Sequence, residues 1–329
     1  IYINSMKIII TGAAGFIGSN LTKKLLNDGH NVVGIDNLSY GEERNITDFK
    51  NHSKFSFQNG DICNPLFLKD TKADVLVHLA SQKIPRYDNA LKTLEENNLM
   101  LKNVISKCLS ENMKLVFAST SDVYGKNPNL PFTEESDLVL GPTNVKRWAY
   151  ALSKAYGEHS IIANNEQFGL NYTITRFFGS YGPNHNLTWW GGPQSGFISK
   201  AFNNQEIEIH GNGLQTRTFT YIKDTVEALS HCILDEKALN EIFNIGSFAD
   251  EEVSIVDLAK LIWSLVNGEN STPKLKFIPY SSFGKYEDVM RRVPSIKKLQ
   301  DYFEFNPKYR LSDGLKETIL WQKKILSNK

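Results

Sequence analysis

Short apolar runs alternate with amphipathic stretches through the first half of the chain. This alternation is typical of a parallel sheet whose strands are joined by helices. The predicted strands are Lys7 to Ile10, Asn31 to Ile35, Lys54 to Phe57, Val75 to Leu79, Lys114 to Ala118 and Tyr172 to Phe177. Apolar residues at helical spacing predict helices that end near Asn27 and Ser110, and one from Trp148 to about Gln167. The pattern therefore predicts an α/β fold with a Rossmann-type, doubly wound parallel sheet.

The pattern changes after Pro183, where Asn184 to Pro193 is rich in Gly, Asn, Pro and Trp and predicts an ordered loop. Later elements are shorter. Helices are predicted at Thr225 to Leu234, Ser254 to Val266 and Leu315 to Leu326. We therefore expect residues 1–183 to form the sheet domain, with 212–248 returning to it, and 184–329 to form mainly a smaller second part.

Composition narrows the class of protein. With 41% hydrophobic and 22% charged residues, the chain has the composition of a globular protein. The net charge of +1 gives no basic surplus for binding nucleic acid or an anionic membrane. Cys63, Cys108 and Cys232 lack metal-ligand spacing, so we expect no metal and reduced, buried thiols. Ile1 to Ser5 does not resemble a signal peptide and no apolar run matches a membrane span, so a cytoplasmic protein is expected.

A glycine motif lies between the first predicted strand and the first predicted helix, at Gly12, Gly15 and Gly18. Glycines there remove the Cβ atoms that would keep a diphosphate from the backbone N–H groups at the helix start. Asp36 ends the second strand, where a carboxylate accepts hydrogen bonds from ribose hydroxyls and repels the extra phosphate of NADP. An accidental glycine-rich turn explains less of this context, so the motif predicts NAD as the cofactor.

Asp61, which follows the third predicted strand, has two interpretations. It either contacts the adenine edge of the cofactor or simply forms an Asx-turn, and the sequence leaves both open. The other residues predicted to line the cofactor are Phe16 and Ile17 in the glycine motif, Ile62 beside Asp61, and Leu79 and Ala80 at the end of the fourth strand.

Tyr150 and Lys154 are candidate catalytic residues. They are four apart in a predicted helix, so their side chains share one face. A nearby cation favours the phenolate, as does the positive nicotinamide ring, and the tyrosine then becomes a usable base. This spacing alone more often marks a solvated helix face. Here, Ser119-Thr120-Ser121-Asp122 ends a strand at the carboxyl edge of the sheet, where ligands bind, which favours catalysis.

Further motifs extend this pattern from Lys7 to about Pro307. They are Gly12/Gly15/Gly18, Asp36, His78-Leu79-Ala80, Thr120 with Val123-Tyr124-Gly125, Tyr150/Lys154, Tyr181-Gly182-Pro183, Gly211 to Tyr221 and Arg292 to Ile296. On these residues the chain resembles the extended short-chain dehydrogenase/reductase family, in particular its NAD-dependent nucleotide-sugar epimerases, dehydratases and decarboxylases. The resemblance implies that Tyr150, aided by Thr120 and Lys154, takes the proton of the sugar's 4-hydroxyl. The hydrogen on carbon 4 leaves as hydride to NAD, which gives a 4-keto sugar.

The residues after Thr120 bear on the fate of this 4-keto sugar. Dehydratases of the family typically carry an Asp-Glu pair there, whereas this chain has Ser121-Asp122. Related UDP-glucuronate decarboxylases use Thr-Ser-Glu and an arginine that matches Arg292, and Asp122 is one methylene shorter than that glutamate. Simple 4-epimerases need no carboxylate at this place. Asp122 is therefore either an acid–base residue or a strand-end residue that caps a turn.

We accordingly expect a 4-epimerase, with a UDP-glucuronate decarboxylase or a 4,6-dehydratase as the alternative. A non-catalytic NAD-binding regulator is the contrasting class. The presence of Thr120, Tyr150 and Lys154 together argues against it.

The resemblance also implies a substrate and an assembly. The substrate is a nucleoside-diphosphate sugar, with a UDP-sugar favoured, and 184–329 would mainly bind it while 1–183 binds NAD. Arg217 would clamp the diphosphate, because its planar guanidinium matches phosphate oxygens. The helices Leu91 to Ser110 and Trp148 to Gln167 would form a homodimer, although their apolar stripes would equally cover the sheet.

Several further residues are candidates for binding the substrate. Ser121 and Arg292 would face it. Lys83 and Arg86 follow the fourth strand and either contact the substrate or are solvated charges. Trp189-Trp190 would stack on a sugar or base, or pack its own loop. Gly179 stands where the family usually has an asparagine that touches the substrate.

Overall fold

The computed structural model describes residues 5–83, 89–188 and 191–327. The strands are β1 (Lys7–Thr11), β2 (Asn31–Asp36), β3 (Phe55–Asn59), β4 (Val75–His78), β5 (Lys114–Thr120), β6 (Tyr172–Phe177), β7 (Ser180–Tyr181), β8 (Ile207–His210), β9 (Thr216–Arg217), β10 (Thr220–Tyr221), β11 (Glu241–Ile245), β12 (Val253–Ser254), β13 (Leu275–Ile278) and β14 (Arg291–Arg292). The helices are α1 (Phe16–Asn27), α2 (Leu66–Lys69), α3 (Ala90–Glu111), α4 (Trp148–Phe168), α5 (Pro193–Phe202), α6 (Ile222–Leu234), α7 (Ile255–Asn267), α8 (Lys297–Phe303) and α9 (Leu311–Ser327).

A seven-stranded sheet organises the molecule, in the order β11-β6-β5-β4-β1-β2-β3, with every pair parallel. The chain leaves β1 toward β2 and later returns to place β4 on the other side of β1. This reversal opens a crevice at the carboxyl ends of β1 and β4, which is where ligands bind in such sheets. The predicted α/β fold and doubly wound sheet are confirmed.

Both faces of the sheet are covered, as the apolar strands require. In β1, Ile8 and Ile10 pack in the core on the α1 and α6 side, whereas Ile9 packs in the core on the α3 and α4 side. All three are fully buried. Burying an isoleucine side chain stabilises a fold by about 1.5–3 kcal/mol, so the alternation along each strand holds both helix layers.

Helix α4 carries the predicted catalytic pair, and its ends are set by local sequence. It begins at Trp148 and ends at Phe168, and the next residue, Gly169, has the left-handed φ of 73° that commonly follows a helix C-terminus. Helix α3 packs along it and is capped at its N-terminus by Asn89, whose side chain accepts a hydrogen bond from the Lys92 backbone N–H. Helix α3 therefore supports α4, which packs against β5.

Several short elements were not predicted, and two of them bear on the sheet and the site. The segment after Gly192 forms α5, with Pro193 at the first helical turn, where a missing N–H costs nothing. Strand β11 pairs with β6 and extends the sheet, so part of 212–248 lies in the sheet, while the boundary at residue 183 stays a prediction. Within the described ranges, no helix is long and apolar enough to cross a membrane.

Candidate active site

A cavity of about 440 Å³, the main cavity, lies along the carboxyl edge of the sheet. Its volume suits a small-molecule site. The residues predicted to line the cofactor all lie on its wall: Gly12, Gly15, Phe16, Ile17, Gly18, Asp36, Asp61, Ile62, Leu79, Ala80, Tyr150 and Lys154. The same wall contains Lys83, Thr120, Ser121, Asp122 and Arg292. The structure therefore brings the predicted cofactor and catalytic residues to one place.

The glycine motif is shaped to receive an anion. Gly12 has φ +75°, and a Cβ there would lie 2.9 Å from the Ala80 nitrogen. A Cβ on Gly18 would collide with the Gly12 carbonyl. Gly15 precedes α1, and no side chain of the described residues caps the N-terminus of this helix. Backbone N–H groups therefore face the cavity at a helix start, which fits the diphosphate of a dinucleotide.

Asp36 is held rigidly at the end of β2. Its Oδ2 accepts a hydrogen bond from the Ala14 N–H (3.0 Å), and its Oδ1 accepts one from the Leu38 N–H (2.8 Å). Burial raises the pKa of Asp36, and these backbone hydrogen bonds oppose the rise. A fixed carboxylate on this wall suits the ribose hydroxyls of NAD and repels an added phosphate.

Asp61 forms the Asx-turn that was one of its two interpretations. Its carboxylate accepts hydrogen bonds from the Cys63 N–H (2.8 Å) and from Asn37 Nδ2 (3.0 Å). Burial raises the pKa of Asp61, but these hydrogen bonds outweigh burial and the pKa lies below its usual value. The side chain also lines the main cavity, so the contact with adenine stays a prediction.

Tyr150 is half-buried on the cavity wall, and its phenol hydrogen-bonds with Ser81 and Thr120. Burial raises the pKa of the phenol, and the Asp122 carboxylate raises it further. The Lys154 Nζ lies 5.9 Å from the centroid of this ring, so the predicted cation is near the phenol. Acidification of the phenol by Lys154 and the positive nicotinamide ring together stays a prediction.

Lys154 is buried, and its ammonium group donates a hydrogen bond to the Ala118 carbonyl (2.8 Å). The Nζ also lies 4.8 Å from the centroid of the Phe117 ring. Burial lowers the pKa of Lys154 to about 7, although the Glu158 carboxylate opposes this effect. The lysine can therefore gain or lose its proton near neutral pH.

We expect Lys154→Met to change how stability depends on pH. The folded-state pKa of about 7 is below the ordinary value of 10.5, so the buried charge destabilises the wild type below pH 7. This cost is on the order of 5 kcal/mol and disappears as the pH rises from 7 to 10.5. The stability of the variant relative to wild type should thus be greatest at about pH 6 and fall toward about pH 10, in urea unfolding of the cofactor-free proteins. A difference that is constant with pH would contradict the low pKa.

Asp122 lies between two guanidinium groups beside the phenol. Its Oδ1 is 2.6 Å from Nη2 of Arg292 and 3.3 Å from Nη2 of Arg147. Nη1 of Arg292 also lies 3.4 Å from the Ser121 hydroxyl. The site therefore presents a fixed cation, Arg292, on the same wall as Tyr150.

Arg217 lies apart from these residues. It lines another cavity of about 480 Å³, the second cavity, which shares Gly192 with the main cavity. Its guanidinium donates to Asp288 Oδ1 (3.0 Å) and to the Val289 carbonyl (2.7 Å). Burial lowers the pKa of Arg217 to about 10, and Arg292 lowers it as well, so the group remains charged at pH 7.

Sequence reasoning assigned no role to Ser81, Arg147 or Asp288. Arg147 was visible near Tyr150, but nothing in the sequence showed that Asp288 would lie beside it. The predicted substrate residues Arg86, Trp189 and Trp190 lie outside the described residues.

The doubly wound sheet, the glycine motif and Asp36 together define a dinucleotide-binding protein, and Tyr150 lies on the wall of the same cavity. Residues 8–246 match the model of the NAD dependent epimerase/dehydratase family. The chain belongs to this family, whose members are NAD-dependent enzymes acting on nucleotide-sugars. NAD is accordingly its cofactor, as predicted.

Relatives with known activities span almost the whole chain. UDP-N-acetyl-alpha-D-glucosaminuronate decarboxylase of Bacillus cytotoxicus is 34% identical, covering 97% of this chain and 98% of the relative. UDP-glucuronic acid decarboxylase 1 of Xenopus tropicalis is 33% identical, covering 98% of this chain and 73% of the relative. Among solved structures, UDP-glucuronic acid 4-epimerase of Bacillus cereus, in complex with UDP-glucuronic acid and NAD, is similar with a TM-score of 0.85. It is 27% identical, covering 97% of this chain and all of that one.

Proposed function

We propose that this enzyme is a decarboxylase of UDP-uronic acids, the alternative outcome that the sequence allowed. The observation that carries the proposal is the Arg292 guanidinium, held by Asp122 at 2.6 Å on the wall of the main cavity. A cation there suits the 6-carboxylate of a uronic acid. The relatives from Bacillus cytotoxicus and Xenopus tropicalis are both decarboxylases of UDP-uronic acids, which supports the same choice.

The first step is oxidation at carbon 4 of the sugar. Tyr150 takes the proton of the 4-hydroxyl, while Thr120 and Ser81, which hydrogen-bond with the phenol, keep it oriented. NAD, held by the glycine motif and Asp36, would supply the hydride acceptor for this oxidation and the hydride for the final reduction. Lys154 stays beside the phenol through its hydrogen bond to Ala118 and adds positive charge when protonated.

The second step depends on the position of the new ketone. In the 4-keto sugar the carbonyl is β to the 6-carboxylate, so the bond between carbons 5 and 6 breaks and its electron pair becomes an enolate at carbon 4. Carbon dioxide leaves, and carbon 5 takes a proton from solvent. The hydride then returns to carbon 4, and the proton held by Tyr150 returns to the oxygen on that carbon. Arg292 would hold the carboxylate until it departs, and Asp122 would keep Arg292 in place.

Epimerisation at carbon 4 remains the second candidate. The Oδ1 of Asp122 already contacts both Arg292 and Arg147, and the side chain is shorter than the glutamate of related decarboxylases. Epimerisation needs no acid at that position, and Arg292 would then bind the carboxylate without promoting its loss.

Incubation with UDP-glucuronate and UDP-N-acetylglucosaminuronate, with mass spectrometry of the products, decides between these outcomes. Decarboxylation predicts a product lighter by one carbon dioxide. An unchanged mass with an altered sugar would show an epimerase, and loss of water would show a dehydratase. Either result would contradict the proposed reaction.

Arg292→Met tests the observation on which the proposal rests. We expect kcat/KM for UDP-glucuronate to fall by about 10²-fold, because a charged hydrogen bond to the carboxylate is lost. The affinity for NAD should stay close to that of wild type. Arg291→Met is the matched control, since Arg291 is exposed and pairs with Glu252 on the surface. Unchanged kcat/KM in the Arg292 variant would show that Arg292 does not bind the 6-carboxylate.

The proposal also includes a homodimer, as the family resemblance implied. Leu91 and Leu99 of α3 and Leu152 and Tyr156 of α4 are each at least 45% exposed, although these two helices pack together. Apolar side chains on adjacent helices suit a contact with a second copy. Light scattering in solution tests this part of the proposal.

A further inference from the structure

A chain of ion pairs connects the main cavity with the second cavity. It begins at Arg292, which contacts Asp122 at 2.6 Å on the wall of the main cavity. It ends at Arg217, which contacts Asp288 at 3.0 Å on the wall of the second cavity. Arg147 joins the two halves, because it lies 3.3 Å from Asp122 and 3.1 Å from Asp288.

Arg147 reaches both carboxylates with one rigid group. Its Nη2 faces Asp122, and its Nη1 faces Asp288 and also donates to the Glu287 carbonyl (2.9 Å). The side chain is only 8% exposed, and its guanidinium carbon lies 5.1 Å from the centroid of the Trp148 ring. Among the described residues that line either cavity, Arg147 is absent. It therefore acts through the two carboxylates and not on a ligand directly.

The charges in this series of ion pairs make it responsive to an anion. Within the described part of the protein, the three guanidinium groups of Arg147, Arg217 and Arg292 share the two carboxylates of Asp122 and Asp288. A diphosphate that attracts Arg217 weakens its pair with Asp288, and Asp288 then relies more on Arg147. Because the guanidinium is planar and rigid, a shift toward Asp288 also changes its contact with Asp122.

We propose that Arg147 is a positioning residue that couples nucleotide binding in the second cavity to the placement of Asp122 in the main cavity. The inference rests on the proposed function and on the predicted role of Arg217 as the diphosphate clamp, which together would place the nucleotide in the second cavity and the sugar in the main cavity. Through this coupling, Asp122 and Arg292 would take their reactive arrangement only when a complete nucleotide-sugar is bound.

Coupling of this kind is reciprocal, so UDP alone tests it. The affinity for UDP is measured by calorimetry in the NAD-loaded wild type, Asp122→Asn, Arg147→Met and the double variant. We expect Asp122→Asn to change the dissociation constant of UDP by about threefold or more when Arg147 is present. In the Arg147→Met background the same change should have little effect. An equal effect in both backgrounds, or none in either, would overturn the proposal.

Kinetics provide the second measurement. With UDP-uronate as substrate, Arg147→Met should lower kcat by about tenfold or more, with a smaller change in KM. The reason is that the variant misplaces Asp122 but removes no contact with the substrate. Arg147→Lys keeps a positive charge beside the two carboxylates, so the variant should fold. Its single ammonium group does not span both carboxylates, so kcat should fall in this variant too. Arg291→Met is the control and should behave as wild type. Full kcat in Arg147→Lys would contradict the bridging role.

The two proposals fail in different ways. If wild-type enzyme binds UDP but turns over no UDP-uronate, the proposed function is wrong, while the UDP binding cycle still decides whether Arg147 couples the cavities. If turnover is normal and the cycle shows no coupling, only the role of Arg147 is wrong.

Discussion

Tyr150→Phe is expected to lower the turnover of UDP-glucuronate by about 10³-fold, the middle of the range for a lost acid–base group. The phenol lines the main cavity, and its hydroxyl hydrogen-bonds with Ser81 and Thr120. Phenylalanine preserves the ring but removes the atom that takes the proton of the 4-hydroxyl. Binding of NAD should change little, because Asp36 and the glycine motif are untouched.

Tyr156→Phe is the matched control for this variant. Tyr156 lies on the same helix but is 55% exposed, so loss of its hydroxyl should leave turnover unchanged. Turnover is measured by product formation under saturating substrate, and NAD content by absorbance after denaturation. Near-normal turnover in Tyr150→Phe would eliminate the proposed base.

Arg176→Met is expected to destabilise the folded protein by about 3–5 kcal/mol, because it leaves a buried carboxylate without its partner. Nη2 of Arg176 lies 2.7 Å from Glu158 Oε2, and both side chains are at most 5% exposed. Glu158 also accepts a hydrogen bond from Ser119, the residue before Thr120. The pair therefore fixes α4 against the end of β5, where the catalytic residues lie.

Urea unfolding tests this prediction, and the midpoint should fall without a change in slope. Arg310→Met is the control, because Arg310 is 48% exposed and its pairs with Asp250 and Glu251 lie at the surface. Such pairs are worth at most about 1 kcal/mol. A double variant with Met at both 158 and 176 should recover part of the loss, since no buried charge of this pair remains unpaired. An unchanged midpoint for Arg176→Met would contradict the structural role of this pair.

The sheet could be predicted because its strands are short, apolar and buried on both faces. Strand β6 was predicted with the bounds that the structure has. Strand β11 was not predicted as a strand, although 212–248 was expected to return to the sheet domain, because Glu241 and Asn244 interrupt its apolar pattern. Helix α5 was missed because glycines and Pro193 obscured its start. Local pattern thus predicted the elements whose burial is periodic, and tertiary pairing determined the others.

The cofactor wall could be predicted for a different reason. Gly12 to Gly18 and Asp36 lie at fixed distances from strand ends, so sequence position alone predicts their place on the crevice. The cluster of Asp122, Arg147 and Asp288 could not be predicted, because it joins three segments that are far apart in sequence. The effect of burial on the pKa of Tyr150 also required the structure.

Reaction of the enzyme with UDP-glucuronate that carries deuterium at carbon 4 tests the proposed chemistry most directly. With Tyr150 as the base for the 4-hydroxyl proton and NAD as the hydride acceptor, return of the hydride to the same carbon predicts a product that has lost carbon dioxide and retains the deuterium at carbon 4. In deuterated water, unlabelled substrate should gain one deuterium at carbon 5. A product that keeps its carboxylate, or that loses the label from carbon 4 to solvent, would contradict oxidation-driven decarboxylation.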